Sequence, residues 1–226
     1  MNLSGGVGNA GNPRLRPPQS WNVELEASRN LGAFGSIKAK LFAEFINDAV
    51  VQKAIGAGEA PGNIDSARLF GLDWNSTFNF DPLGWKGAKL DVAAQFRNSR
   101  LRDPLTGEKR QLSEQLETEI NANFRHDIPG SALAWGIDYN LYVQTEGFRL
   151  DQHSRFVNSP GTLGVFVEHK DVMGLTVRGG VSNLLGTNER FYRTIHAGRR
   201  TNDVLVYEDR SRYYGLVFDL SIRGSF

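Results

Sequence analysis

Apolar and polar side chains alternate along much of this 226-residue chain. Between 132 and 146, Leu133, Trp135, Ile137, Tyr139, Leu141 and Val143 fall on one side of an extended backbone. Ala134, Gly136, Asp138, Asn140, Gln144 and Glu146 make most of the other side, with Tyr142 the exception. Trp21, Val23, Leu25 and Ala27 oppose Asn22, Glu24, Glu26 and Ser28 in the same way. So do Phe70, Leu72, Trp74, Phe78 and Phe80 against Asp73, Asn75, Thr77 and Asn79, and Leu90, Val92, Ala94 and Phe96 against Lys89, Asp91, Gln95 and Arg97. Leu175, Val177 and Val181 oppose Thr176, Arg178 and Ser182, and at the end of the chain Leu216, Phe218, Leu220, Ile222 and Phe226 oppose Val217, Asp219, Ser221, Arg223 and Ser225. A period of two is that of a strand with one apolar face. Leu112, Leu116 and Ile120 also fit a helix, but alternation continuing through Ala122 and Phe124 favours a strand there.

Between these stretches the connections themselves alternate. Short turns rich in Gly, Pro, Asp and Asn fall at 30–35, 81–87, 127–131 and 170–174. Longer polar segments fall at about 52–65, 99–110, 147–159 and 184–212. Short turns at one rim and long loops at the other are the layout of an antiparallel up-and-down transmembrane β-barrel, here with about nine strands. Single-chain bacterial barrels close with an even number, and an open sheet would leave two unpaired edges and an unsupported apolar face. The pattern therefore predicts an all-β portion of a larger barrel.

Composition narrows the function. A formal charge of +1 with 23% charged residues argues against a nucleic-acid partner. The absence of cysteine removes disulfides, thiolate metal sites and cysteine nucleophiles. Mean hydropathy of −0.38 and the lack of any long apolar run exclude a transmembrane helix but not barrel strands, which alternate lipid-facing with lumen-facing residues. The first residues, Met1-Asn-Leu-Ser-Gly-Gly-Val-Gly-Asn, carry neither the basic nor the apolar region of an export signal. Either the chain is cytoplasmic, or Met1 is an internal position of a longer protein.

Catalytic signatures are missing. Gly6-Val-Gly-Asn-Ala-Gly11 matches G-x-G-x-x-G, but Pro13, Pro17 and Pro18 forbid the helix that a phosphate site requires. His126, His153, His169 and His196 lack metal-ligand spacing, and no HExxH, GxSxG or Walker pattern occurs. Asn2-Leu-Ser4 and Asn75-Ser-Thr77 match the glycosylation sequon, a short pattern that carries little weight here. The expectation is a chain that is not an enzyme, with no catalytic residues, no metal and no cofactor.

A strand ending on a free aromatic resembles the C-terminal strand of bacterial outer-membrane barrels, where that residue is a signal for the assembly machinery. Gly11-Asn-Pro-Arg-Leu-Arg-Pro-Pro-Gln-Ser-Trp-Asn-Val-Glu-Leu25 resembles the segment GNPxLxPExSxxxELG of TonB-dependent outer-membrane receptors, departing from it at Pro18-Gln19. Val181-Ser-Asn-Leu-Leu-Gly-Thr-Asn-Glu-Arg190 resembles that family's V.NLFDxxY-type strand exit. The resemblance implies that 1–226 is the C-terminal part of a barrel of about 22 strands, whose plug domain and first strands lie upstream. Residues 1–19 would lead from a loop into the first strand, and 184–212 would be a long extracellular loop. It also implies import of a scarce nutrient (an iron–siderophore complex, cobalamin or an oligosaccharide) driven by TonB through the plug. Expected partners are outer-membrane lipid, lipopolysaccharide and the barrel-assembly machinery, with Phe218, Leu220, Ile222 and Phe226 as the assembly signal.

Within 184–212, Arg193, Arg199, Arg200, Tyr207 and Arg210 are the ligand-contact candidates, beside Glu189, Asp203, Glu208 and Asp209. Guanidinium forks and rings suit an anionic chelate or a sugar. The other reading is a mixed-charge loop whose ion pairs hold it together or touch lipopolysaccharide. Trp21, Trp85, Tyr213 and Tyr214 suit interfacial girdles, and Glu24, Glu26, Glu117, Glu119, Arg97, Arg125 and Arg178 a solvated lumen network. Two other functions share parts of this pattern: a passive porin-like barrel, and a soluble or surface β-sheet protein that binds through its loops.

Overall fold

A computed structural model describes residues 11–56 and 58–224; Phe226 and the first ten residues of the leading segment lie outside them. Apart from single 3-10 turns at Gly32–Phe34 and Asp81–Leu83, all regular structure among the described residues is β. The strands are β1 (Gln19–Asn30), β2 (Gly35–Ile55), β3 (Gly58–Asn79), β4 (Ala88–Arg102), β5 (Lys109–Arg110), β6 (Leu116–Asp127) and β7 (Leu133–Gln144). They continue with β8 (Gly147–Phe148), β9 (Gln152–Val157), β10 (Thr162–Val172), β11 (Leu175–Ser182), β12 (Asn188–His196), β13 (Val204–Tyr213) and β14 (Val217–Arg223).

The main sheet runs β1-β2-β3-β4-β6-β7-β10-β11-β14, antiparallel at every step, with β5 added to β4. A smaller sheet runs β13-β12-β9-β8. Among the described residues the main sheet is open: β1 bonds only to β2, and β14 only to β11.

Residues paired across antiparallel strands share a face, so the registers show where the alternation leads. One row passes through Leu25, Leu41, Leu72 and Phe96. Another passes through Phe78, Leu90, Phe124, Ile137, Val165, Val181 and Phe218. This apolar face lies open along the whole sheet: Trp21 is 75% exposed and Phe218 76%. At its short-turn end Trp85, Phe124 and Trp135 pack ring to ring at 5.1 and 5.4 Å, and the Trp135 indole donates to His126 Nδ1 at 3.1 Å.

The opposite face is polar and cross-linked by charge. Lys38 pairs with Glu26 at 3.0 Å, and Lys40 bridges Glu24 (3.6 Å) and Asp73 (3.3 Å), which also meets Arg97. Further along, Arg125 holds Asp127 (2.9 Å) and Glu168 (2.6 Å), and Arg178 holds Asp138 at 3.0 Å. Two rings lie among these charges because glycine sits beneath each of them. Phe42 covers its cross-strand partner Gly71 under Arg97 (4.6 Å), and Phe166 covers Gly136 under Arg178 (3.5 Å). A Cβ at Gly136 would overlap both the Phe166 ring and the Phe124 carbonyl. Gly136→Val is therefore expected to destabilise the sheet by about 1–3 kcal/mol, read as a lower unfolding temperature of the purified protein.

Three of the long polar segments differ from the loops expected. The first is nearly all strand, with β2 reaching Ile55 and β3 resuming at Gly58. Within 147–159 lie β8 and β9, and 184–212 holds β12 and most of β13. These extensions do not alternate because their surroundings do not: Glu59, Ala60 and Gly62 are all buried beneath neighbouring segments. The 112–124 stretch is strand from Leu116 onward.

Candidate functional site

Beyond the apolar band, at the long-hairpin end, connections from four parts of the chain fold over the polar face. They are held by two carboxylates placed where sequence offers no hint. Glu59, 1% exposed, pairs with Arg149 and accepts the Leu150 backbone N–H at 2.8 Å. Asp103, 2% exposed, accepts from Arg110 at 2.5 Å and Arg200 at 2.7 Å, and from the backbone N–H groups of Leu105 and Thr106. Burial alone would raise the Asp103 carboxyl, but hydrogen bonds from Arg110, Thr106, Leu105 and Arg200 together hold it at about 2. Burial in turn lowers the Arg110 guanidinium.

The Phe148 ring lies beside both arginines, 4.6 Å from Arg110 and 5.1 Å from Arg200. Arg200 also donates to the Arg149 carbonyl at 2.7 Å, and Arg199 to that of Gly56 at 2.9 Å. The β3 tip, the β4–β5 turn, β8 and the β12–β13 hairpin are thereby joined into one cap. A short apolar cluster of Ala49, Ala67 and Leu101, capped by Leu112, seats it on the sheet.

The two family-like segments anchor the same region. The Asn63 amide donates to the carbonyls of Arg16 (2.8 Å) and Asp48 (2.7 Å), while its own oxygen accepts the Arg16 N–H. Asp48 has φ 52°, a left-handed residue within β2 that leaves the β2–β3 register unshifted, and its carboxylate meets Arg16 at 2.5 Å. At the exit of β11, Asn183 (φ 60°) donates to the carbonyls of Thr187, Tyr214 and Gly215 and accepts from the Thr187 N–H. One asparagine thus fastens the start of the 184–212 excursion to its return.

Between cap and sheet lies a cavity of about 560 Å3, lined in part by Glu117, Glu146, Phe148, Arg155 and Arg100. A second, of about 460 Å3, shares Glu146 and Arg155 and adds His153, Tyr192 and Thr194. Arg155 stands at the junction. It is exposed, and among the described residues it has no hydrogen-bond or ion-pair partner. Its cross-strand neighbour is Tyr192. Burial lowers the pKa of His153, which stacks on Phe148 at 6.0 Å. Two guanidinium groups (Arg155 and Arg100) and two carboxylates, all without ion-pair partners among the described residues, and three aromatic or imidazole rings make a wall suited to a polar ligand with flat apolar parts. Among the described residues no group of three or more His, Asp or Glu side chains is arranged to hold a metal ion.

The five residues singled out from the sequence are not brought together. Arg193 and Arg210 both pair with Glu208, at 2.5 and 2.6 Å, and share one face of the small sheet with Phe191 and Phe156. Tyr207 is on the other face, in the row of Thr194 and His153. Arg199 and Arg200 serve the cap. Arg155 and His153 were missed because the alternation rule read 147–159 as loop and gave no reason to prefer one of its cations; Tyr192 lies in the 184–212 segment already singled out, among its other aromatics.

No protein-family model, curated protein or solved structure matches this chain.

Proposed function

We propose that this chain is part of the β-barrel of an outer-membrane transport receptor of the TonB-dependent kind. The observation that carries this reading is the uninterrupted apolar face on one side of a nine-strand meander with an ion-paired face on the other. In β2 that face runs from Ile37 to Phe45, about 26 Å along the strand and about 20 Å after a barrel's tilt, close to the apolar band of such barrels. The Trp85–Phe124–Trp135 group suits an interfacial girdle at its lower border. The unpaired edges of β1 and β14 call for further strands, and the remainder of a barrel of about 22 would supply them. Among the partners this implies, the exposed row of Phe218, Leu220 and Ile222 on edge strand β14 is the surface offered to the assembly machinery.

The nutrient would enter from the cap side and meet Arg155, Tyr192 and His153. The plug and its contact with TonB would lie in the rest of the protein. The test is to express the protein from its genomic start, separate inner from outer membrane, and score uptake of siderophores, cobalamin and glycans with and without TonB. The expected result is a heat-modifiable band in the outer membrane and uptake that stops when TonB is deleted. Uptake indifferent to TonB would indicate a passive porin-like barrel, and a soluble product would indicate a β-sheet binding protein.

A further inference from the structure

One buried nitrogen in the small sheet has no partner. The Nδ1 of His196, at the end of β12, stands 2.8 Å from the carbonyl oxygen of Asn202. A carbonyl only accepts, so Nδ1 carries the hydrogen, and in the neutral ring Nε2 is a bare lone pair. That Nε2 is buried, and among the described residues nothing donates to it. A lone pair held out of water without a donor is costly. An imidazole fixed through its other nitrogen by a backbone carbonyl is also the arrangement of a metal ligand, because that bond sets both tautomer and ring orientation.

A second imidazole stands beside it. His153 of β9 is directly opposite Thr194 of β12, and His196 follows Thr194 by two residues. The two histidines are therefore diagonal neighbours on one face of the small sheet. Their ring centres are 6.0 Å apart, with the rings tilted by 43°. A tetrahedral ion bound by two imidazoles sets the ring centres about 5 Å apart, so small side-chain rotations close the difference. The His153 nitrogens have no hydrogen-bond partner among the described residues. Burial favours the neutral, ligating form of that ring.

The surrounding charges admit a cation. Glu146 is the carboxylate that acts on His153, while Arg200, which opposes it, is held by Asp103 at 2.7 Å. His153 opens on the cavity of about 460 Å3 that it shares with Glu146, Tyr192 and Thr194, and Arg155, the other cation on that wall, is exposed.

We propose that His153 and His196 bind a divalent transition-metal ion of the zinc and copper class, through His196 Nε2 and one nitrogen of the His153 ring. Imidazole suits these ions, whereas Mg2+ and Ca2+ call for oxygen ligands. Two imidazoles leave coordination positions open, which water or a donor atom of a molecule in the cavity would fill. The ion would give Nε2 its partner and tie β9 to the β12–β13 hairpin. The site stands whether or not the main sheet faces lipid, because it lies wholly in the small sheet.

The test titrates the purified full-length protein, free of any affinity tag, with CuCl2 and with ZnCl2, and follows Cu2+ by electron paramagnetic resonance. The wild type is expected to bind one equivalent, with coupling to two nitrogens, and excess Mg2+ should not displace it. His153→Ala and His196→Ala should each remove one nitrogen coupling and weaken binding by roughly tenfold or more. A ligand matters at least as much as an outer-shell partner, whose loss costs about 10–100-fold. His169→Ala, at the short-turn end of β10, should change nothing. An unchanged circular dichroism spectrum in the absence of metal confirms that each variant is folded. Undiminished binding by either His153→Ala or His196→Ala, a wild-type spectrum without nitrogen coupling, or an equal loss with His169→Ala would overturn the proposal. Metal binding that persists in a protein without TonB-dependent uptake would remove the transport reading and support the metal site.

Discussion

Replacing Asp103 with Asn is expected to free the cap from the sheet while the meander stays folded. The carboxylate is 2% exposed and stands between Arg110 and Arg200. Without its charge, two guanidinium groups that now share one carboxylate oxygen beside the Phe148 ring are left without a counter-ion. Removing one partner of a buried ion pair costs about 3–5 kcal/mol, and here the cost falls on segments joined mainly through this point. Amide exchange in 103–115, 145–151 and 197–203 should accelerate by roughly a hundredfold or more, with much smaller changes in β6, β7 and β10. Because the folded carboxyl sits at about 2, below its ordinary 3.8, its stabilisation is complete above about pH 4 and is lost as pH falls through about 2. The wild-type cap should loosen across that window, and the Asn variant should not respond to it. Unchanged protection in those three segments would show that Asp103 does not hold the cap.

Alternation in sequence carried the part of the fold that meets two different surroundings. In β7, Leu133 to Val143 alternate because one side belongs to the sheet's apolar face and the other to its charged one, and the strand stands where that pattern puts it. The turns at Gly32–Phe34 and Asp81–Leu83 were equally legible, since Gly and Pro mark them directly. Where a strand is surrounded by protein on both sides, the period vanishes. Gly58 to Asn63 pair fully with β2, yet read as loop, because small and polar residues fit beneath the cap on either face.

The site was less legible for a related reason. Glu59 and Arg149 are 90 residues apart, and Asp103 and Arg200 are 97 apart. No local spacing marks such a pair, and each residue taken alone resembles an ordinary loop charge. The count of arginines in 184–212 pointed to the β12–β13 hairpin, but only the register separates Arg193 and Arg210, paired with Glu208, from the face shared by Tyr192, Thr194 and Tyr207.

Leu41→Arg is the substitution that weighs most directly on the membrane reading. Leu41 sits at the middle of the apolar face between Leu25 and Leu72, and is 53% exposed among the described residues. In a lipid-facing position near the midplane, an arginine costs about 2–4 kcal/mol. The mature, heat-modifiable protein in the outer membrane should fall by roughly tenfold or more. On a water-exposed sheet the same change removes an apolar side chain from the surface and should be neutral or improve solubility. The adjacent residue supplies the contrast, because Lys40 is already charged, faces the other way and pairs with Glu24 and Asp73. Asn22→Arg, on that polar face of β1 opposite Glu44, should leave assembly unchanged. If Leu41→Arg and Asn22→Arg assemble equally well, the apolar face is not against lipid and the sheet belongs in water.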